Sequence, residues 1–242
     1  GIWSMTSVIV GFTGIYLVLA SMILCYPILV LKMLFFGKKQ PELVLSERSL
    51  NDPGMLGMVL AALTLLIAGL PLVVVGTTLL LALYGVIPMS MAAWAAKPIV
   101  FQYSFYIFAH NMMEAMALMV TSAMYATLPL YLADGTRKLF SNKLANLALW
   151  ILLLTSVTSF LHHFLTFYPN QPAVLSYWGN IMSWGTGIGA ALSIFTVLAT
   201  IWQHGLRAEP GIIIVLIGWA LYILDGASAM VTSNIAWAYV LH

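Results

Sequence analysis

Charge is what this sequence has least of. Among 242 residues there are nine Lys or Arg and seven Asp or Glu, 7% in all, where a soluble domain carries about 25%. With 62% hydrophobic residues and a mean hydropathy of +1.02, a water-soluble globule is excluded. Cysteine is almost missing. Cys25 alone rules out an internal disulfide and a cysteine-ligated cluster, and its Leu and Ile neighbours predict a buried, inert thiol. The net charge of +2 comes with no basic stripe, which excludes a nucleic-acid partner. The apolar runs are continuous and lack the alternation of a membrane barrel. No basic segment precedes the first run, so no cleavable signal peptide is expected. Internal repeats and low-complexity tracts are absent. The glycines 185, 187 and 189 follow no strand and are no nucleotide loop; they predict a small-residue face for close helix packing.

What is present is six long apolar runs, 3–36, 55–86, 101–132, 144–167, 177–202 and 211–241. Each exceeds the roughly 20 residues that a helix needs to cross a bilayer. The expectation is therefore an all-α, polytopic membrane helix bundle of six transmembrane helices, a single membrane domain over 1–242 surrounded by lipid. Prolines 53, 88, 98, 169, 172 and 210 mark helix ends, whereas Pro27 and Pro71 are interior and should kink their helices. Basic residues gather in alternate connections: Lys38, Lys39 and Arg48 in the first, Arg137, Lys138 and Lys143 in the third, Arg207 in the fifth. The second has only Lys97 and the fourth has none. By the positive-inside rule the odd loops face the cytoplasm of a prokaryotic plasma membrane, and both termini lie outside.

The third and fourth runs carry the chemistry. One contains His110 and, four residues on, Glu114; the other contains the adjacent pair His162-His163. Ionisable side chains inside a membrane are costly and mark function. In the expected topology all three histidines fall at a similar depth in the outer part of the membrane, counted at about 1.5 Å per residue. An antiparallel helix pair could bring them together, and Glu114 shares a face with His110. Imidazoles suit copper, iron or zinc, and an added carboxylate favours iron somewhat over copper. The plainer reading is a satisfied core histidine, but it must then cover three histidines at matched depth. Glu114 is open to three readings: metal ligand, proton carrier, or protonated packing residue. Asp225 is open to helix packing or proton transfer. His204, in a loop beside Arg207, is expected to be solvated.

A histidine on one span, a histidine pair on the next, then a span ending Ala190-Leu192-Phe195-Leu198-Ala199-Thr200 resembles the catalytic subunit I of the heme-copper oxidase superfamily. The loop from Tyr168 to Gln171 and the closing Ala238-Tyr239-Val240-Leu241-His242 fit the same pattern. The order of spans is similar to the family's helices four to nine, nearest its B-type members. The resemblance implies a portion of a larger bundle. In it His110, His162 and His163 hold a non-heme metal, copper in the oxidases, facing a high-spin heme. It places His242 near the heme propionates, as a cofactor-binding residue.

Two departures from that pattern matter. Where the oxidases carry a tyrosine four residues after the first histidine, this chain has Glu114, which resembles the nitric oxide reductases, where the glutamate approaches a non-heme iron. Their second glutamate is replaced by Leu118, and Tyr106 is the one tyrosine near His110. The resemblance also implies axial heme ligands that this chain does not hold, expected from another chain or a missing segment. The leading expectation is a component of a respiratory terminal reductase acting on O2 or NO, leaning to nitric oxide reductase-like chemistry. Glu114 would be catalytic or a ligand. Other membrane subunits would complete the bundle, and cytochrome c or quinol would donate electrons. The competing expectations are a portion of a cytochrome c or quinol oxidase subunit I, a non-catalytic membrane subunit with the oxidase fold, and a transporter using Glu114 and Asp225.

Overall fold

The structure, a computed structural model, describes residues 5–36, 50–164 and 172–232. It is an all-α bundle with six helices long and apolar enough to cross a membrane. They are α1 (Met5–Phe36), α2 (Pro53–Leu83), α4 (Pro98–Thr127), α5 (Asn142–Ser159), α6 (Ala173–His204) and α7 (Pro210–Thr232), with a one-turn α3 (Met89–Ala92) before α4. Their starts are written in the sequence. Asp52 caps α2 by accepting the Met55 N–H at 2.9 Å, with Pro53 in the first turn. Pro98 opens α4, and Ser141 caps α5 by accepting the Leu144 N–H at 3.2 Å. Pro27 and Pro71 stay inside continuous helices.

Close backbone approach organises the bundle. Helices α2 and α4 meet along Gly54 and Gly57, where a Cβ on Gly57 would lie 2.7 Å from the Ser122 Cβ. The Ser122 hydroxyl donates to the Gly54 carbonyl across that seam. Leu60, Ala61, Ala115, Leu118 and Leu149 fill the space between α2, α4 and α5. In membrane bundles such small-residue seams let dispersion and interhelical hydrogen bonds replace the missing hydrophobic drive.

The expected glycine face on α6 divides in two. Gly185 and Gly189 press on α5, at Thr155 and at Leu152 and the Ala148 carbonyl, while Gly187 faces Met230 of α7. Residues two apart on a helix point to nearly opposite sides, so a run spaced by two cannot share a face. Cys25 is likewise exposed rather than buried. α1 turns Ile23, Pro27 and Val30 toward α2, and Cys25 lies off that stripe.

Two of the expected spans end differently. The third passes from α4 into a 3-10 turn at Leu128–Tyr131, and the fourth from α5 into a 3-10 turn at Phe160–His163. The second change moves the histidine pair off the α-helix. The stretch before it is rich in hydroxyls that bond back to their own helix: Thr155 to the Ile151 carbonyl, Ser156 to Leu153, Ser159 to Ser156. Such back-bonding competes with regular helix geometry and favours tighter turns.

On the face opposite the histidines, the connections after α4 and α6 are stitched together. Leu132 and Leu206 form an antiparallel bridge. Ala133 N–H donates to Gly205 O at 3.2 Å, and Arg207 N–H to Tyr131 O at 2.8 Å. Gly205 takes a positive φ of 67° at this turn, a conformation that suits glycine. His204 Nδ1 lies 2.6 Å from Asp134 Oδ2, so this histidine is paired rather than merely solvated. Hydrogen bonding from the Thr136 backbone N–H, with further help from His204, holds the Asp134 carboxyl below its ordinary range.

Candidate metal centre

His110 stands in the middle of α4, and the 3-10 turn after α5 carries His162 and His163. The close packing of α5 on α6 sets the height of that turn. A Cβ on Gly179 would overlap the His162 backbone nitrogen and lie 2.7 Å from the Leu161 carbonyl carbon. With α6 docked this tightly, the pair is driven toward α4. One nitrogen from each of the three histidines falls within 4.8 Å of the others. The ring centroids of His110 stand 4.9 Å from His162 and 5.1 Å from His163. His162 is buried, and the other two are half-buried.

The hydrogen bonds assign the ring nitrogens. Ser183 Oγ donates its single proton to the Gly179 carbonyl at 2.8 Å, so at 2.7 Å it accepts from His162 Nδ1–H. Ser159 Oγ donates to the Ser156 carbonyl at 2.7 Å, so at 2.6 Å it accepts from His110 Nε2–H. These are assignments from the network of donors and acceptors. They leave Nε2 of His162 and Nδ1 of His110 as the basic nitrogens. His110 Nδ1 lies 3.0 Å from His163 Nε2. With a proton between them those two atoms form a hydrogen bond; without it they form two arms of a chelate. Three converging imidazoles, two of them with the tautomer set by a serine, are a donor set that fits copper, iron or zinc.

Glu114 is near but differently placed. Its Oε1 lies 3.7 Å from His110 Nε2, the nitrogen other than the one facing His163. The structure groups the three histidines and does not bring Glu114 into that group. Asp225 is exposed on α7 and is not a member of the histidine group, and His242 lies outside the described residues. Tyr106 stacks on His163, with centroids 5.0 Å apart, while Tyr103 stacks on Phe164 at 4.1 Å. Phe160, Leu161, Phe164 and Ile107 complete an apolar wall on that side. Sequence reasoning missed Ser159, Ser183 and Gly179. Ser159 was visible as a hydroxyl one turn before the pair. The other two depend on the register of α5 against α6.

Residues 2–242 match the family model described as Cytochrome C and Quinol oxidase polypeptide I. The chain belongs to that family. No curated protein and no solved structure matches it. In this oxidase polypeptide I family, which is the heme-copper oxidase subunit I, heme and a metal are the cofactors, and subunit I works beside other membrane subunits. The histidine cluster fits the metal. For heme, the described residues hold one further histidine, His204, and it is engaged by Asp134. An uncommitted histidine for the axial position of a heme is thus not found among the described residues.

Proposed function

We propose that this chain holds the non-heme metal of a membrane terminal reductase, with His110, His162 and His163 as its ligands. The observation that carries the reading is their convergence from two helices in a chain of the oxidase polypeptide I family. When bound, copper or iron supplies a redox-active Lewis-acid position for a small gas. The chain does the rest. The serines orient the rings, the Tyr106 and Phe164 wall limits water, and Glu114 holds a proton beside His110 Nε2. That contact favours the proton-carrying role of Glu114 over direct ligation.

Of the two gases, nitric oxide is the better fit. Reducing two NO to N2O and water takes two electrons and two protons, whereas O2 takes four of each and needs an additional donor during O–O cleavage. A carboxylate stands four residues after His110 in place of the tyrosine of the oxidases, and Tyr106 stacks on His163. Heme ligands, in this reading, come from a further polypeptide or chain segment. The surfaces fit such a neighbour, since α1 and α7 are far less buried within the bundle than α2 and α5. Cytochrome c or quinol supplies electrons, and the basic loops face the cytoplasm.

The deciding experiment is gas consumption by the purified complex, with reduced donor, at NO and O2 electrodes. NO turnover exceeding O2 turnover is expected. Glu114→Gln keeps the metal and lowers turnover by ~100-fold, the typical worth of a positioned proton donor. Metal loss in that variant assigns Glu114 as a ligand instead. A complex with neither heme nor non-heme metal overturns the reading in favour of a non-catalytic subunit.

A further inference from the structure

Ser159 is the last residue of α5 and is fully buried, at 0% exposure. Its hydroxyl has two partners on opposite sides. It accepts from His110 Nε2 at 2.6 Å and donates to the Ser156 carbonyl at 2.7 Å. Because the carbonyl can only accept, the hydroxyl proton is committed to it, and the oxygen lone pair is left for the imidazole N–H. We propose that Ser159 is a positioning residue that fixes the tautomer of His110, so that Nδ1 rather than Nε2 faces His163 and the metal.

The inference rests on the reading of the three histidines as ligands. It adds that a residue three before His162 controls the ligand on the neighbouring helix. A neutral imidazole has one proton and two nitrogens, and a metal takes only the unprotonated one. A proton moved to Nδ1 would close His110 to the ion. Since Ser159 and the histidine pair share one short segment, the same bond also sets the register between α4 and the pair. Such outer partners commonly change metal affinity 10–100-fold. Ser156 is a natural control. It lies one turn earlier, is equally buried, and its hydroxyl donates only to its own helix, at the Leu153 carbonyl.

The test uses the complete complex and follows the loss of its non-heme ion into excess EDTA, together with ion stoichiometry and the thermal midpoint. Ser159→Ala is expected to release the ion at least ~10-fold faster at an unchanged midpoint. Ser159→Thr, which keeps the acceptor, and Ser156→Ala should release it at the parent rate. Where Ser159→Ala does not assemble, Ser159→Cys replaces it, being nearly isosteric and a poor acceptor. Release at the parent rate from Ser159→Ala or Ser159→Cys, with His110→Ala losing its ion, overturns the proposal and leaves the metal site standing. Faster release from Ser159→Thr as well marks a packing role and also overturns it. Full retention of the ion by His110→Ala would instead overturn the metal-site reading.

Discussion

Gly179 and His162 meet backbone to backbone. A side chain at 179 would occupy the space of the His162 nitrogen and of the Leu161 carbonyl carbon, 2.7 Å away. The neighbours are main-chain atoms that cannot swing aside, so relief requires α6 to move from α5 or the histidine turn to move toward α4.

Gly179→Ala should therefore destabilise the complex by about 1–3 kcal/mol, the usual cost of overpacking, and strip most of the non-heme metal. Gly218→Ala is the matched control, since a Cβ there meets nothing within 4 Å. Metal analysis and a thermal midpoint on both variants decide it. Equal metal content in the two would mean that helix docking does not set the site.

The histidine pair should be jointly required. His162→Ala and His163→Ala, made separately, are each expected to lose most of the non-heme metal while the complex still assembles. Complete metal retention in both variants would sink the ligand assignment.

The stitched connection on the opposite face should respond to acid. The folded state lowers the Asp134 carboxyl, chiefly through the Thr136 backbone N–H and also through His204. A depressed carboxyl adds stability that is fully present above its unfolded value of about 4 and is lost as pH falls through the lower folded value. Protection from hydrogen exchange at 133–137 and 204–207, taken relative to the intrinsic rate at each pH, should fall only below pH ~4, and Asp134→Asn should remove that pH step. A step centred near neutral pH would point to another group.

Orientation is open to cysteine labelling in a Cys25→Ala background. Lys138→Cys should react with an impermeant reagent from the cytoplasmic side, and Lys97→Cys from outside. The reverse pattern would invert the placement of the histidines in the outer part of the membrane.

Much of this was legible along the chain because lipid is a strict solvent. Long uncharged runs can only be spans, caps such as Asp52 and prolines such as Pro98 set where they begin, and polar residues stranded within them are the chemistry. Matched depth of His110 with His162 and His163 followed from residue counts alone. What the linear pattern could not decide was local twist and helix register. The 3-10 turn under the pair, at the end of a run of back-bonding hydroxyls, was one such feature. Which glycines face which helix depends on a rotation that a uniformly apolar surface does not encode. Gly187 therefore turned to α7, and Gly179, unmarked in the sequence, became the contact that places His162. The same register decided that Ser159 and Ser183, not Glu114, meet the ring nitrogens of His110 and His162 at hydrogen-bond distance. Composition chose the solvent and the histidines, and close packing between helices chose which of their atoms face one another.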